Sequence, residues 1–200
     1  PMTVPAPVPP RSDCRVVTYN VLYEGVAPDG HGWAHRQEAV TAELDRLGPD
    51  AIAFQEVWMD QFADLQEDLS GYSWVAATDT PAHTPIAYRT DRFEAGAAGT
   101  FWLSEPEAEP GVPGWDATYQ RLVTYAVLSE SAGDRTLAVM NVHLDHEGKR
   151  ARIEGATLAR DRLTGLDADG FVLAGDFNCR PGTTACRRVT GDGDGVSLSD

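Results

Sequence analysis

Polar residues of the kinds that serve in catalysis follow four apolar stretches of the sequence, each at the point where the stretch ends. Asn20 follows RVVTY, Glu56 follows AIAFQ, His143 follows LAVMNV, and Asp176 and Asn178 come after FVLAG. The Asn amide and the Glu carboxylate supply hard oxygen atoms, which Mg²⁺, Mn²⁺ and Ca²⁺ prefer as ligands. Asp and His side chains can transfer protons and stabilise the charge that develops on a phosphoryl group. Together these residue types suit metal-assisted chemistry on a phosphate ester.

Each of these residues also has a plain structural interpretation when it is taken alone. Asn20 and Asp176 suit turns, because their side chains bond to nearby backbone groups. Glu56, at a junction between a strand and a helix, suits a first helical turn, where the helix dipole favours a carboxylate. His143 suits the role of a structural histidine. Their shared position at strand ends favours the functional interpretation, because such residues can converge at one edge of a rigid scaffold.

The surrounding sequence predicts the strands and helices that must position these residues. Residues 14–22 are rich in β-branched and aromatic residues, which is typical of a strand. Apolar residues at helical spacing predict helices at 33–47 and 58–69, and the Gly48-Pro49 pair ends the first. The other predicted elements are strands at 51–54, 73–77, 85–89, 98–103, 121–129, 135–142 and 171–174, and a helix at 147–164.

The order of these elements predicts an α/β fold. Two strand–helix units precede a run of mostly antiparallel strands, which is followed by one more helix and strand. Strands this numerous, with helices that must cover outer faces, indicate a four-layer α/β sandwich of two mostly antiparallel sheets packed face to face and flanked by helices. Residues 1–13 are predicted to be a proline-rich lead-in, and residues 14–200 a single domain.

The charge balance of the chain bears on its substrates. The 16 Lys and Arg residues stand against 31 Asp and Glu residues, which gives a formal net charge of -15. Duplex nucleic acid is usually held by clustered basic side chains, and the sequence contains no run of them. The acidity therefore favours other substrates. Because bound metal ions can invert the local field, a nuclease remains the alternative.

The sequence also bears on cellular location. No segment approaches the ~20 apolar residues that a membrane-spanning helix needs. Residues 1–10 lack the basic and apolar regions of a signal peptide, which favours a cytoplasmic protein, with a secreted protein as the alternative. Cys179 and Cys186 could pair across a Pro-Gly turn, although three free thiols is the simpler interpretation.

Four motifs in a fixed order, TYNVL, AFQEV, NVHLDH and LAGDFN, resemble those of the endonuclease/exonuclease/phosphatase superfamily. GDFN after an apolar strand is moderately specific alone, and the four motifs in order are strongly specific. The resemblance covers residues 14–200, and the segments TFWLSEP and HLDHEGKRAR are similar to a bacterial branch whose substrates are poorly defined. It implies a phosphoester hydrolase that depends on a divalent metal ion, Mg²⁺ or Mn²⁺.

The resemblance implies a role for each residue at the strand ends. Glu56 resembles the metal-ligand glutamate, with Asn20 beside the metal. Asp176 resembles the aspartate that orients or deprotonates the attacking water, and Asn178 its neighbour that contacts the scissile phosphate. His143 resembles the first active-site histidine, which donates to the phosphate and assists the leaving group.

Further residues are implied to contact the substrate. Arg121 falls where members of the superfamily often place an arginine at the floor of the active site. His146 and Arg150 match residues that line the route to the site or, like Arg152, cap the following helix. The plain alternatives are a residue at the start of the helix for His146 and solvated charges for the two helical arginines.

The superfamily pattern ends with a strand that carries an Asp-His pair. Only 22 residues follow Asn178 and none of them is His, while Asp200 in GVSLSD resembles the aspartate that hydrogen-bonds this final histidine. The sequence therefore predicts a domain that is incomplete at its C-terminus, completed by a second chain or by residues beyond Asp200. A non-catalytic scaffold on the same fold is the alternative.

The predicted substrate is a small or exposed phosphate ester, such as a nucleotide, a sugar phosphate or a lipid headgroup.

Overall fold

A computed structural model describes residues 13–26, 30–77, 83–106, 108–190 and 198 of the chain. The strands are β1 (Val16–Asn20), β2 (Ala51–Gln55), β3 (Tyr72–Val75), β4 (Ile86–Arg89), β5 (Phe93–Trp102), β6 (Leu122–Glu130), β7 (Thr136–His143) and β8 (Gly170–Asp176). The helices are α1 (Trp33–Leu47), α2 (Met59–Asp68), α3 (Lys149–Thr164) and α4 (Thr184–Thr190), with a 3₁₀ turn at Glu24–Val26.

The first sheet contains four strands in the order β1-β2-β4-β3. Its inner strand β2 is buried along its whole length, which explains why AIAFQ is almost continuously apolar. β1 and β2 are parallel, and α1 makes the crossover between them. Their register places Asn20 opposite Gln55, so Asn20 and Glu56 leave the sheet at the same edge.

The second sheet repeats this arrangement with the order β5-β6-β7-β8. β7 and β8 are parallel, and α3 makes the crossover between them. Their register places His143 opposite Asp176. Each sheet therefore contributes one pair of parallel strands whose ends carry the polar residues singled out in the sequence.

The sheets and helices form four layers with three apolar clusters between them. The two sheets meet through a central cluster that includes Ile86, Phe93 and Leu128. α1 and α2 cover the outer face of the first sheet. α3 covers the outer face of the second, where Ala156 and Ala159 let it pack close to the strands. The predicted α/β sandwich of two mostly antiparallel sheets flanked by helices is confirmed.

Local details differ from the sequence-based predictions. β5 begins at Phe93 and not at residue 98, and its pairing with β6 shifts between Ala95 and Ala98. The first half of this strand was missed because FEAGAAG contains no apolar alternation. α4 was also not predicted. Cys179 and Cys186 form a disulfide, so the interpretation of three free thiols was wrong.

Other predictions concern the ends of the chain and its location. Residues 1–12, most of the predicted lead-in, and Asp200 lie outside the described residues, so the predictions made for them stay predictions. Among the helices of the described residues, none has the length and apolar character needed to cross a bilayer.

Candidate active site

The side chains of Asn20, Glu56 and Asp176 meet at one edge of the two packed sheets. Asn20 Nδ2 donates to Glu56 Oε1 at 2.8 Å and to Asp176 Oδ2 at 3.1 Å. Glu56 follows β2 of the first sheet, whereas Asp176 ends β8 of the second. One amide nitrogen therefore holds two carboxylates from different sheets, and the structure brings these three predicted residues together.

Backbone N–H groups orient the three side chains. The N–H groups of Leu22, Tyr23 and Asn178 donate to Asn20 Oδ1 at 3.0 Å, to Glu56 Oε2 at 3.3 Å and to Asp176 Oδ1 at 3.0 Å, respectively. Because the Asn20 oxygen accepts from the backbone, the NH₂ group of the same amide must face the carboxylates.

The backbone around these contacts is strained. Leu22, Glu56 and Asn178 have φ values of +55°, +59° and +45°, in the left-handed region that residues other than glycine rarely adopt. In the described part of the chain, the one further residue of this kind is Trp115. Such a conformation costs on the order of 1–3 kcal/mol and persists only where its surroundings impose it. The concentration of strain here supports a functional site.

Gly175 allows Asp176, at the end of β8, to lie beside Asn20 and Glu56. Its φ is +144°, and a Cβ atom there would lie 2.0 Å from the carbonyl oxygen of Val142 on β7. No side chain fits at that distance. The glycine of the GDFN motif is therefore required by the close approach of β7 and β8.

His143 is a buried neighbour of Asp176, with 9% of its surface exposed. Its Nε2 atom is 3.9 Å from Asp176 Oδ2, which is longer than a hydrogen bond. Burial lowers the pKa of His143 to about 4, an effect reinforced by the charge of Arg121 and opposed by Asp176 and Glu56. His143 is therefore neutral near pH 7, and its ring can donate one hydrogen bond to a phosphoryl oxygen.

Arg121, Asp145 and His146 form a polar group on one side of His143. The Arg121 Nε atom lies 3.4 Å from Asp145 Oδ2, and the Arg121 Nη2 atom lies 3.0 Å from His146 Nδ1. The charge of Arg121 is among the causes of the lowered pKa of His143, which places this guanidinium near the site. The structure thus gathers Arg121 and His146, both predicted to contact the substrate.

Asp145 is a buried residue that the sequence analysis did not single out. Its Oδ1 atom accepts from the N–H groups of Glu147 at 3.0 Å and Gly148 at 2.7 Å. Burial alone would raise the pKa of Asp145, but these two donors and the charge of Arg121 outweigh it and hold the pKa below its usual value. Asp145 therefore positions Arg121. The available signal was an aspartate just before a predicted helix, where such side chains bond to free backbone N–H groups.

The two arginines of α3 take different positions. Arg150 is exposed on the first turn, where its N–H group donates to Asp116 Oδ2 at 3.1 Å. Arg152 Nη1 donates to the carbonyl oxygen of Asp145 at 2.8 Å and so stabilises the segment before the helix. Neither of these contacts reaches the carboxylates of the site, and substrate binding by Arg150 stays a prediction.

Two buried amides join the sheets directly beneath the site. Gln55 Nε2 donates to Asn141 Oδ1 at 2.8 Å. Asn141 Nδ2 in turn donates to the carbonyl oxygens of Phe54 at 2.6 Å and Pro85 at 2.9 Å. Gln55 immediately precedes Glu56 in the sequence. Because buried polar groups are costly unless paired, these bonds fix the distance between the strands that carry the site.

An open cleft of about 540 Å³ borders the site. Thr18, Asn20 and Gln55 line one side of it, and residues 175–180 line the other. The disulfide between Cys179 and Cys186 restrains the segment that continues from this lining. A cleft of this volume accommodates a small phosphate ester.

The donor atoms of the site suit a hard divalent cation, because carboxylate oxygens are the ligands such ions prefer. The Asn20 amide turns its NH₂ group toward Glu56 and Asp176, so in this orientation it holds the carboxylates without adding an oxygen ligand. Within the part of the chain that the structure describes, no three His, Cys, Asp or Glu side chains are grouped so as to hold a metal ion. Metal binding by Glu56 with Asn20 beside it stays a prediction.

Comparison with known proteins identifies the family. The profile of the Endonuclease/Exonuclease/phosphatase family matches residues 17–195, and the chain belongs to this family. The resemblance carried by the four sequence motifs is thereby confirmed. A search among proteins of curated function finds no match.

Solved structures of bacterial members share the fold. The endonuclease/exonuclease/phosphatase from Bacteroides vulgatus is 29% identical, with a TM-score of 0.83, and the match covers 90% of this chain and 71% of that one. A mannosyl-6-phosphatase from Bacteroides thetaiotaomicron is also 29% identical, with a TM-score of 0.78 over 88% of this chain and 70% of that one.

A more distant structure shows the fold alone. TDP2 from D. rerio, complexed with a single-strand DNA product, is 20% identical with a TM-score of 0.73, over 92% of this chain and 68% of that one.

Proposed function

We propose that the protein hydrolyses a small phosphate ester with the help of a divalent metal ion, Mg²⁺ or Mn²⁺. The observation that carries this proposal is the contact of one Asn20 amide with the carboxylates of both Glu56 and Asp176. Two carboxylates that meet at one edge of the sheets, one of them lining an open cleft, suit cation binding and the activation of water. Members of the family generally use divalent metal ions, which supports the same conclusion.

Each residue of the site would have a separate role in the reaction. Glu56, with Asn20 beside it, would hold the metal ion, which supplies positive charge to a phosphoryl oxygen when it is bound. Asp176, whose oxygens are held by two N–H donors, would orient the attacking water and accept its proton. Neutral His143 would donate a hydrogen bond to a second phosphoryl oxygen, and Asn178 would contact the same group.

Arg121 would stabilise the negative charge that develops on the phosphoryl group. Its guanidinium is held by Asp145 and His146 before any substrate binds, so little reorganisation is needed during the reaction. This fixed cation is also the natural binding point for the phosphate of the substrate.

The charge and cleft favour a small substrate over nucleic acid. A net charge of -15 repels a polyanion, whereas one phosphate group can be neutralised locally by Arg121 and the metal ion. The structural relative that is a mannosyl-6-phosphatase supports a sugar phosphate as the substrate class. We therefore propose phosphatase activity on phosphomonoesters, and on sugar phosphates in particular.

A substrate panel tests this function directly. Hexose 6-phosphates, nucleoside 5′-monophosphates, glycerol 3-phosphate, a phosphodiester and plasmid DNA would each be assayed with Mg²⁺, Mn²⁺ or EDTA. We expect phosphate release from phosphomonoesters with metal and none with EDTA. Glu56→Gln and Asp176→Asn should each lower kcat/KM by about 10²-fold or more, because each removes a charge that acts on the reacting group.

Glu43→Gln is the matched control, because Glu43 is a carboxylate on the exposed face of α1 that pairs with Arg46. It should leave kcat/KM unchanged. Activity that survives EDTA and both site substitutions would refute the metal-dependent mechanism. Cleavage of plasmid DNA with a steep salt dependence, without phosphomonoester hydrolysis, would replace it with a nuclease. A folded protein inactive on the whole panel would favour the scaffold.

A further inference from the structure

Five ring-bearing side chains form two groups, one beside Glu56 and one beside Arg121: Tyr23, Trp58 and His83, and Tyr119 and His146. We refer to them as the aromatic rim. Trp58 and Tyr119 are 42% and 56% exposed, which is unusual for side chains of this size. The proposed chemistry does not use the side chains of Tyr23, Trp58 and Tyr119. Exposed rings that are held in place commonly mark a binding surface.

The first half of the rim adjoins Glu56. The Tyr23 and Trp58 rings lie 5.9 Å apart between centroids, and the His83 ring meets Trp58 edge-on at 5.2 Å. The N–H group of Tyr23 donates to Glu56 Oε2 at 3.3 Å. The N–H group of Trp58 donates to the buried Gln61 at 3.2 Å, which anchors the backbone beneath the exposed ring. This half is therefore fixed relative to the carboxylates.

The second half of the rim adjoins Arg121. The Tyr119 and His146 rings are stacked, with centroids 5.7 Å apart and an angle of 20° between their planes. Arg121 lies 5.9 Å from the centroid of Tyr119 and 3.0 Å from His146 Nδ1. The N–H group of Tyr119 lies 3.3 Å from Asp145 Oδ2. Polar contacts to the proposed phosphate-binding arginine, and not burial, hold these rings in place.

A hydrogen bond at the start of β6 joins the segments that carry the two halves. Thr84, the neighbour of His83, donates from Oγ1 to the carbonyl oxygen of Leu122 at 3.0 Å. Leu122 directly follows Arg121 in the sequence. The charge of Arg121 is also among the causes that lower the pKa of His83, so the first half of the rim reaches the surroundings of Arg121, where the phosphate of a substrate would bind.

We propose that the aromatic rim binds the sugar ring of a hexose phosphate, with the ring packed against Trp58 and Tyr119 while its phosphate lies at Arg121. This inference rests on the proposed function and names its substrate class. The C–H groups of a pyranose face pack against aromatic rings. The exposed carboxylate of Glu147, which accepts from Thr118 at 2.8 Å, lies next to His146 and offers an acceptor for sugar hydroxyl groups.

Kinetics with paired substrates test the role of the rim. Trp58→Ala and Tyr119→Ala should each lower kcat/KM for hexose 6-phosphates by about tenfold, mostly through KM, because a stacking face is lost. For glycerol 3-phosphate, which has no ring, the change should be less than about twofold. Trp58→Phe and Tyr119→Phe keep an aromatic face and should retain most of the selectivity. Val112→Ala, at an exposed apolar residue outside the rim, is the matched control.

A binding measurement separates this proposal from the proposed function. Tryptophan fluorescence of the Asp176→Asn protein would be followed during titration with mannose 6-phosphate, adenosine 5′-monophosphate or glycerol 3-phosphate. Saturable quenching by mannose 6-phosphate, with a Kd that Tyr119→Ala raises and Tyr119→Phe leaves nearly unchanged, supports the rim, even where no substrate is hydrolysed and the proposed function fails. If Trp58→Ala and Tyr119→Ala hydrolyse hexose phosphates with the same preference over glycerol 3-phosphate as the wild type, the proposed role of the rim is wrong while the proposed function stands. Preferential loss of nucleotide binding, or no sugar-dependent signal, also overturns it.

Discussion

The replacement Asn20→Asp puts a carboxylate in place of the amide that contacts the carboxylates of Glu56 and Asp176. In the native site, Asn20 Nδ2 donates to Glu56 and to Asp176, while Asn20 Oδ1 accepts from Leu22. Aspartate has the same shape and keeps the bond from Leu22, but it loses both donated hydrogen bonds. It also adds a negative charge between two others. The substitution therefore tests whether Asn20 holds the two carboxylates together.

The expected loss of stability follows from these contacts. A hydrogen bond to a charged group contributes roughly 1.5–3 kcal/mol, and two are lost. Asn20 is only half-buried, so solvent screens part of this loss and part of the new repulsion. We expect the free energy of unfolding to fall by about 3–5 kcal/mol at pH 8 without metal. Because salt screens the repulsion between half-buried charges, the deficit should shrink as the ionic strength rises.

Urea denaturation at pH 8 and several NaCl concentrations, with EDTA or with millimolar Mg²⁺, measures these effects. Asn20→Ala is the control without added charge; it loses the same two donated hydrogen bonds and, in addition, the bond from Leu22. Because Asn20→Ala loses one bond more, any additional deficit of Asn20→Asp over Asn20→Ala is a lower limit for the repulsion, and Mg²⁺ should reduce it. Equal stability of Asn20→Asp and the wild type at pH 8 in EDTA would refute the argument, since the amide would then hold nothing in place.

Three further substitutions test other contacts. The pKa of Asp145 is held below its usual value, so its charge stabilises the fold above the unfolded-state pKa of about 3.9, and this contribution is lost as the pH falls through the lower folded-state pKa. Asp145→Asn should thus cost about 2 kcal/mol in urea at pH 7 and much less near pH 3. Asp50→Asn breaks a buried ion pair with Arg92 at 2.7 Å, and thermal unfolding should report a loss of about 3 kcal/mol with kcat/KM unchanged. Gly175→Ala would bring a Cβ atom 2.0 Å from the Val142 oxygen, and circular dichroism melts should show a large fall in Tm, whereas an unchanged Tm would mean that β7 and β8 can separate freely.

The elements that the sequence predicted well are those with a clear pattern. α1 spans Trp33–Leu47 as expected, because apolar residues recur at helical spacing and Gly48 ends it in a left-handed conformation. β2 was recognisable from its continuous apolar run. The first half of β5 and the short α4 carry no such periodicity. Their positions depend on tertiary contacts, of β5 with β6 and of α4 with α3. Local pattern therefore predicted the layers but not the irregular strand.

The candidate site was predicted only in part, for a physical reason. Strand ends identified Asn20, Glu56 and Asp176, because parallel neighbours deliver their last residues to one edge. The direction in which the Asn20 amide points depends on Leu22 and its positive φ, which no spacing rule contains. Asp145 also has local partners just before α3, but its role was missed because Arg121, which it positions, comes from a separate segment of the chain. Contacts of this kind become visible only in three dimensions.

The buried amides beneath the site explain how two separate sheets can hold one reacting group. Glu56 belongs to the first sheet and His143 to the second, so any sliding between the sheets would change the distance between them. Gln55 and Asn141, which lie one and two residues before these side chains, bond to each other at 2.8 Å in a fully buried position. Because sliding would leave both amides unpaired in the core, it would cost several kcal/mol, which is about what is lost when buried hydrogen bonds are broken. The same two strands that carry the chemistry therefore also carry the contact that keeps its geometry fixed.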